Sequence, residues 1–445
     1  MQACLCSHTD GRLIRHTTMQ RAAHHQSGQA LVLGLVILSV AMVAFLRFFH
    51  VGQVVAARAK QTHALDAAAY SGALVQARAL NMLAFINRAQ VGHHMAMAHL
   101  VTLGSWAHFA GTQAGQLARQ NPPLHLINMM FGSAHGQAYS AAAQASGLIQ
   151  MASQTGQLSS AYQQHHQTLV EIFSTVQQQV VDSVPSAREA AMQHILQRNY
   201  PGHEGEFDLS ITDTAWSGYL HRVAGASLRP FVKQVADLYA FLDTRNHTAR
   251  NPWSVDARCP QKRHELRRRG STQMDASGRW QSIDTESFHA VRSNRWIGCY
   301  YREYSMGWGW IPTRTGQLPD GPYVDNPPDN FSAQDFWRWV EASTDWNIAD
   351  SDANPLANSR ATASRQTWEG GGLQAYFDVS GARSEVVGFT ASLDHPGPET
   401  LTVTTRSAAE IFFERPERRS DGQAEAANLF RPYWQARLAA STEDP

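Results

Sequence analysis

A run of seventeen uncharged residues, residues 30–46, limits the topology of this chain more than any other feature. With Arg47, whose stem can lie along lipid, and the two phenylalanines that follow, the run reaches the ~20 residues that a helix needs to cross a bilayer. We predict a transmembrane anchor over residues 28–50 and a cytoplasmic tail over residues 1–27. The basic residues on the two sides favour this orientation only slightly: Arg12, Arg15 and Arg21 precede the run, and Arg47, Arg58 and Lys60 follow it.

Two alternatives concern the N-terminus. Residues 57–59, Ala-Arg-Ala, have the small-x-small form of a signal-peptide cleavage site, but they lie well beyond the apolar run. We therefore favour an uncleaved anchor over a cleaved signal. Met19 is an alternative start that would remove Cys4 and Cys6 from the protein.

The composition excludes one class of partner. The 445 residues contain 37 basic and 37 acidic side chains, so no basic excess is available to bind phosphates, and nucleic-acid binding is not expected. Only 17% of the residues are charged and 43% are hydrophobic, which indicates that partner helices or a membrane satisfy part of the surface. The length predicts two or three structural units at ~150 residues each.

After the anchor, small and apolar residues recur at alternating spacings of three and four, which is the pattern of helices that pack lengthwise. We call six of these positions the predicted seam: Leu65, Gly72, Val75, Ala79, Met82 and Ile86. Gln76 lies off it. We expect the helix to continue straight out of the membrane and to associate with like helices, including copies of itself, as part of a helical stalk over residues 51–250.

The rest of the predicted stalk consists of further helices. Residues 121–181 carry a single charge, Glu171, and a seven-residue repeat, which predicts a second long helix that Pro185 ends. A further helix is predicted from about Thr214 to Thr244, with a kink at Pro230.

The composition changes near residue 251, where Trp, Tyr, Gly and Pro become dense and helical periodicity disappears. Strands are predicted over residues 280–283, 296–304, 375–379, 385–392, 401–405 and 410–414. The fold class is therefore α+β: a single N-terminal transmembrane helix that continues into a helical stalk, followed by a β-rich domain over residues 251–445.

Cys259 and Cys299 would share an oxidising compartment if the β-rich domain lies outside the cytoplasm. We expect a disulfide, which would close a loop of about forty residues and contribute ~3 to 4 kcal/mol in the loop-entropy model. The alternative is two unrelated buried thiols, because sequence does not give the distance between them.

Several clusters could carry chemistry, and each also has a structural explanation. His93, His94 and His99 with Met95 and Met97 could hold a soft metal ion, but no carboxylate accompanies them, and His93 falls on the line of small and apolar residues that continues the seam. Residues 203–208, His-Glu-Gly-Glu-Phe-Asp, could bind a cation or could form a solvated loop after a Pro-Gly turn.

Three other patterns are weaker. Asp378 and Ser380 resemble the start of an adhesion-type Mg²⁺ site, but Ala382 stands where such sites need a second hydroxyl. The aromatic runs at residues 307–310 and 336–339 could bind carbohydrate or peptide, although such strands more often pack on each other. The sequence has no nucleophile elbow, phosphate loop or dinucleotide motif, and we expect no cofactor.

Two regions together resemble a known family. The first contains Gly28-Gln29-Ala30, the run from Ala64 through Asp66 to Gly72, Gln76 through Asn81, Asn87-Arg88-Ala89 and Ser105-Trp106; the second contains residues 413–416 and 428–438. The first region resembles the N-terminus of TadE/TadG-like assembly proteins of the Tad (tight adherence, Flp) pilus, and the second is similar to the end of proteins with that N-terminus.

The resemblance implies a single-pass inner-membrane protein with its bulk in the periplasm. It implies a minor pilin-like or assembly-platform subunit of type IVc pilus biogenesis, whose partners are other pilus-assembly proteins. Type IV prepilins carry Glu at the fifth position after the cleaved glycine, where this chain has Leu33, which favours an uncut anchor. The alternative function is a membrane-tethered periplasmic metal-dependent enzyme, or a metal-binding protein, that uses residues 203–208.

Overall fold

The computed structural model describes residues 29–213, 216–295, 298–314, 366–379, 386–398 and 401–440. The predicted cytoplasmic tail, the alternative start at Met19, the aromatic run at residues 336–339, Ser380 and Ala382 lie outside the described residues. The structure confirms the α+β class, with one long apolar N-terminal helix followed by a β-rich region.

The first helix, α1, runs without interruption for 90 residues, from Gln29 to Ala118. It contains an 18-residue window of mean hydropathy 2.5 that none of the described residues buries, so by length and composition it can cross a membrane. The remaining helices of the described chain are shorter: α2 (Leu124–Phe131), α3 (Ser133–Ala141), α4 (Gln157–Gln167), α5 (Ser174–Asn199), α6 (Trp216–Tyr219) and α7 (Arg229–Ala236). One turn of π-helix (Thr168–Phe173) joins α4 to α5.

The strands form three sheets. They are β1 (Asp208–Thr212), β2 (Leu220–Val223), β3 (His247–Arg250), β4 (Glu265–Met274), β5 (Trp280–Asn294), β6 (Gly298–Arg314), β7 (Trp368–Glu369), β8 (Tyr376–Val379), β9 (Val386–Pro396), β10 (Thr402–Phe413) and β11 (Trp434–Ala439). One sheet has the order β1-β9-β10-β11, the second pairs β2 with β8, and the third has the order β3-β4-β5-β6-β7. Strands β4, β5 and β6 pair antiparallel, and β7 is parallel to β6.

The described chain divides into two compact units. The first comprises residues 29–61, 394–398 and 401–404, and within it the Gln61 side chain donates to the Val403 carbonyl at 2.8 Å. The second comprises all other described residues. The boundary between these units is not the one predicted between residues 250 and 251. Strand β2 pairs with β8 and strand β3 pairs with β4, so two pairs of strands cross that position.

The core of the second unit surrounds α1. Between Ala64 and Leu83 the buried face of α1 packs with residues of α5 and with strands β8 to β11. Farther along, α1 packs with α4, α7 and the sheet that contains β5 and β6. The residues predicted to form a separate stalk and a separate β-rich domain therefore pack together in the same hydrophobic clusters.

Glycines let β6 lie directly on α1. A Cβ at Gly309 would lie 2.2 Å from the Ser105 carbonyl oxygen, and one at Gly307 would lie 2.8 Å from the Gln113 side chain. Side chains alternate along a strand, so Trp308 and Trp310, which alternate with these glycines, point to the other face of the sheet. There Trp310 packs on Ile283. This close packing explains the alternation of Gly and Trp at residues 307–310.

Three helix predictions were wrong. Residues 121–181 form several helices, and a Cβ at Gly156 would lie 2.3 Å from the Met151 carbonyl oxygen, so the chain turns there where only glycine fits. Pro185 lies inside α5 and does not end it. Residues 214–244 contain α6, β2 and α7, and Pro230 occupies the first turn of α7, where its missing N–H has no helical partner to lose.

The strand predictions were incomplete. Strand β10 is continuous over the two segments predicted at 401–405 and 410–414, and β5 and β6 are longer than the segments predicted at 280–283 and 296–304. Strands β1, β2, β3, β4, β7 and β11 were not predicted. The charged run in β4, Glu265-Leu266-Arg267-Arg268-Arg269, resembles a surface loop in composition, but its arginines bond to Glu265 and to backbone carbonyls.

Candidate functional site

The two regions that carry the family resemblance contact each other on α1. Asn81 donates to the Trp434 carbonyl at 2.9 Å and accepts the Trp434 N–H at 3.0 Å, so its amide pairs with the backbone of β11 as a neighbouring strand would. Earlier on the same helix, Asp66 accepts the Ser407 hydroxyl at 2.6 Å. Residues more than 340 positions apart are joined in this way.

Asn87 makes the second contact with the C-terminal region. It is fully buried and donates to the carbonyls of Phe377 and Leu429, each at 2.8 Å, while its own oxygen accepts from Gln177 at 2.7 Å. Buried amides that satisfy every donor and acceptor fix one arrangement, because any shift leaves a polar group unpaired. We call Asn81 and Asn87 with their backbone partners the asparagine contacts.

A buried ion pair fixes the middle of α1 to the sheet of β4, β5 and β6. Asp284 is 0% exposed and accepts from Arg245 through both oxygens, at 2.8 and 3.0 Å. Ser105 of α1 donates to the same carboxylate at 2.9 Å. Burial raises the pKa of Asp284, and the Arg245 guanidinium opposes this rise. The helix therefore reaches the sheet through a hydrogen bond to a charged group.

Two histidine doublets face each other across α1 and α4. Nδ1 of His93 lies 3.0 Å from Nδ1 of His165, with the rings edge to face at 4.9 Å. The second members are His94 and His166, and the Gly371 N–H donates to Nδ1 of His166 at 3.2 Å. We call His93, His94, His165 and His166 the histidine cluster.

The members of the cluster differ in environment. His94 is 0% exposed and, within the described structure, neither ring nitrogen has a hydrogen-bond partner. Burial first, then His166 and His93, lowers the pKa of His94 to about 4. Burial and His165 lower the pKa of His93. Burial also lowers the pKa of His166, and Glu171 opposes this.

The predicted metal candidates are not gathered into a site. His99 packs on Phe241 with ring centroids 4.9 Å apart, and Met95 and Met97 are buried in the core. At residues 203–208, His203 stacks on Phe207 while the three carboxylates are exposed. Among the residues that the structure describes, no group of three His, Cys, Asp or Glu side chains could hold one metal ion.

Two further candidates are placed as follows. Trp310 is buried, so residues 307–310 do not present an open aromatic platform. Asp378 accepts the N–H groups of Val379 and Leu429, so it fixes the C-terminal segment, and burial raises its pKa.

The predicted seam lies partly inside the protein. Leu65, Gly72, Ala79 and Ile86 are buried and Val75 is half-buried, but Met82 is 46% exposed. Gln76, predicted to lie off the seam, is only 1% exposed, because α5 and the sheet cover more of α1 than one line of contacts would. Association between copies of α1 stays a prediction.

Cys259 and Cys299 form a disulfide in this structure, with their Cα atoms 5.9 Å apart. It ties the segment before β4 to the beginning of β6.

In the sequence, Asn81, Asn87 and Ser105 stand out only as parts of the family resemblance, and their hydrogen bonds were not predicted. Nor were the roles of Arg245 and Asp284 or the pairing of the histidine doublets. The repeated His-His dipeptide was a visible signal, but which doublet faces which depends on the helical breaks between residues 121 and 173. No protein-family model, curated protein or solved structure matches the chain.

Proposed function

We propose that this chain is a non-enzymatic, membrane-anchored subunit of Tad (Flp, type IVc) pilus assembly. Its anchor lies in the inner membrane, its N-terminus is cytoplasmic and its bulk is periplasmic. The observation that carries the proposal is the division of α1, which begins as an exposed apolar helix and continues as the buried centre of the second unit. A helix of this kind anchors and organises a domain without any reacting groups.

The contacts of the resemblance residues support the proposal. Asp66, Asn81, Asn87 and Ser105 each bond to a residue far away in the chain, and three of these partners lie in the C-terminal forty residues. The residues on which the resemblance rests thus join α1 to distant parts of the chain. This is what a structural subunit requires.

The proposed partners are other pilus-assembly proteins, and self-association through α1 is part of the proposal. Because most of the predicted seam is already buried within the chain, Met82 is the seam residue that is open to a partner. A charge there should weaken association without disturbing the fold. Cross-linking of Met82→Glu protein in membranes, beside the wild type, measures this effect.

A topology experiment tests the placement. A reporter that is active only in the periplasm, fused after Pro445, should be active, and the same reporter fused to the N-terminus should be silent. A second reporter that is active only in the cytoplasm should give the reverse pattern. Cytoplasmic activity of the C-terminal fusion would contradict the proposal.

A genetic experiment tests the function. Deletion of the gene from its native host should remove surface pili, as counted by electron microscopy, and the wild-type gene should restore them. The purified complex should contain pilus-assembly proteins. Normal piliation in the deletion strain would overturn the assignment.

A further inference from the structure

We propose that the histidine cluster is an acid-sensitive latch that holds α4 and the loop at residues 370–372 on α1 and releases them when the surroundings become acidic. The proposal rests on two hydrogen bonds that a fully protonated cluster cannot make. It does not depend on the assignment to pilus assembly.

The first bond joins the two helices directly. The contact between Nδ1 of His93 and Nδ1 of His165 is a hydrogen bond only if one nitrogen carries a proton and the other does not. A proton added to the bare nitrogen of this pair removes the acceptor, and two N–H groups then face each other at 3.0 Å. The two helices must then separate at this point.

The second bond joins α4 to the loop. Nδ1 of His166 accepts the Gly371 N–H, so this nitrogen is bare, and protonating it removes the acceptor. The loop approaches closely: a Cβ at Gly370 would lie 2.8 Å from Cδ2 of His166, and one at Gly371 would lie 2.7 Å from the Tyr162 hydroxyl. Its three glycines have φ of +96°, +112° and +89°, which L side chains rarely adopt.

His94 adds to the dependence of the closed form on pH. It is enclosed beside His166 and His93, so a proton on any of these three rings disfavours a proton on the others while the cluster is closed. The titratable groups that face the cluster are the two histidines of α1, the two of α4 and Glu171 in the π-helical turn; Asp275 and Arg279 act on the neighbouring Tyr162. Glu171 is the one acid among them that favours a charged imidazole in the cluster.

The direction of the pH effect follows from the lowered pKa values. His93, His94 and His166 bind protons less readily in the closed form than in an open one, where an exposed histidine has a pKa near 6.5. The closed form therefore has its full stability above about pH 6.5 and loses it as the pH falls toward about 4, the pKa of His94.

Hydrogen exchange of the full-length protein in detergent tests the latch. Amide protection of residues 157–173 and 366–372, corrected for the pH dependence of chemical exchange, should fall about tenfold between pH 7.5 and pH 5, since each pKa unit corresponds to a factor of ten. Protection of residues 405–413 of β10, which contain no histidine, should change much less. Equal protection of α4 and the loop at both pH values would overturn the proposal.

The double variant His165→Asn/His166→Asn separates the latch from general acid sensitivity. An Asn Oδ1 takes nearly the position of Nδ1 and accepts both hydrogen bonds, but it does not titrate. The variant should lose markedly less protection at pH 5 than the wild type, because only His93 and His94 of the cluster still titrate. The exposed His125→Asn should behave as the wild type.

Opening of the double variant at pH 5 as in the wild type would contradict the proposal. It would point to the buried His108 and His289 and the half-buried His264, whose pKa values burial also lowers. If the double variant does not fold, His166→Asn alone should retain protection of residues 366–372 at pH 5. Loss of that protection in the single variant would equally contradict the latch.

Discussion

The two halves of α1 differ in a way that hydrophobicity alone does not predict. Residues 30–49 are almost entirely apolar and are exposed, with Leu31, Phe45 and Phe48 each more than two thirds exposed. After residue 61 the same helix buries polar side chains completely, among them Asn87, Gln90 and His94. Within the described residues, no other part of the chain covers the apolar half, and the more polar half forms a core.

The two halves of α1 are therefore suited to two different environments. The first half suits a lipid solvent, in which apolar side chains have no need of protein contacts. The second half suits a protein interior, where buried polar groups require specific partners, such as the carbonyls that Asn87 reaches. The same substitution should therefore affect folding stability in one half and membrane insertion in the other.

The largest effect is expected from a charge in the core half. Gly72→Glu places a carboxylate where an added Cβ would already lie 2.9 Å from Sδ of Met192, and the nearby Arg188 is paired with Asp213. We expect a loss of about 4 kcal/mol or more in the free energy of unfolding, because the charge is buried without a partner. Denaturant unfolding in detergent measures it.

Gly34→Glu is the matched control in the apolar half. A Cβ at Gly34 meets nothing within 4 Å, so the folded unit should keep its stability. The acidic side chain opposes membrane insertion by up to about 3 kcal/mol, so less of the protein should remain in alkali-washed membranes. Equal loss of folding in both variants would show that the two halves do not differ as described.

A somewhat smaller effect is expected from the ion pair that attaches the core half to the sheet. Asp284→Leu leaves the Arg245 guanidinium buried without its carboxylate and should cost roughly 3–5 kcal/mol. Asp275→Asn removes one partner of an exposed Asp–Arg pair and should cost no more than about 1 kcal/mol. Similar melting temperatures for the two variants would refute this ranking.

The disulfide tests how far covalent closure, rather than contact with α1, stabilises the second unit. Its loop spans 40 positions, so replacing Cys259 by Ser should lower the free energy of unfolding by roughly 3–4 kcal/mol. Reductant should reduce the stability of the wild type to that of the variant and leave the variant unchanged. Two freely alkylated thiols in protein taken directly from cells would contradict the bond.

The smallest effect is expected from a single asparagine contact. Asn81→Ala removes both hydrogen bonds to Trp434 at a half-buried position and should cost about 1–2 kcal/mol. Arg78→Ala, one turn earlier on the exposed side of α1, should change stability by less than about 0.5 kcal/mol. Indistinguishable unfolding curves would mean that the Asn81 amide contributes nothing to the attachment of β11.

The sequence predicted the features that depend on local pattern. The length of α1 follows from its unbroken apolar and small-residue periodicity, and β9 and β10 follow from alternation. The sequence did not predict that the helix continues through Pro185. Proline has no N–H to donate to the Val181 carbonyl, and in the structure the Trp216 indole donates to that carbonyl instead, at 3.4 Å. That donor comes from another part of the chain.

The candidate site was less predictable for the same reason. Asn81 and Asn87 have no local signal of their role, since their partners lie 290 to 353 positions away. The apolar residues between 220 and 241 fit one helical face, yet Leu220 lies in strand β2, which pairs with β8. Tertiary pairing overrode local periodicity in this segment.

The asparagine contacts also determine when this protein can finish folding. Asn81 leaves the ribosome 353 residues before Trp434, which at 5–20 residues per second corresponds to roughly 20–70 s of synthesis. During that time the buried face of α1 exists without the C-terminal strands that cover it. The nascent chain therefore exposes the apolar side chains of this face until β11 has been synthesised.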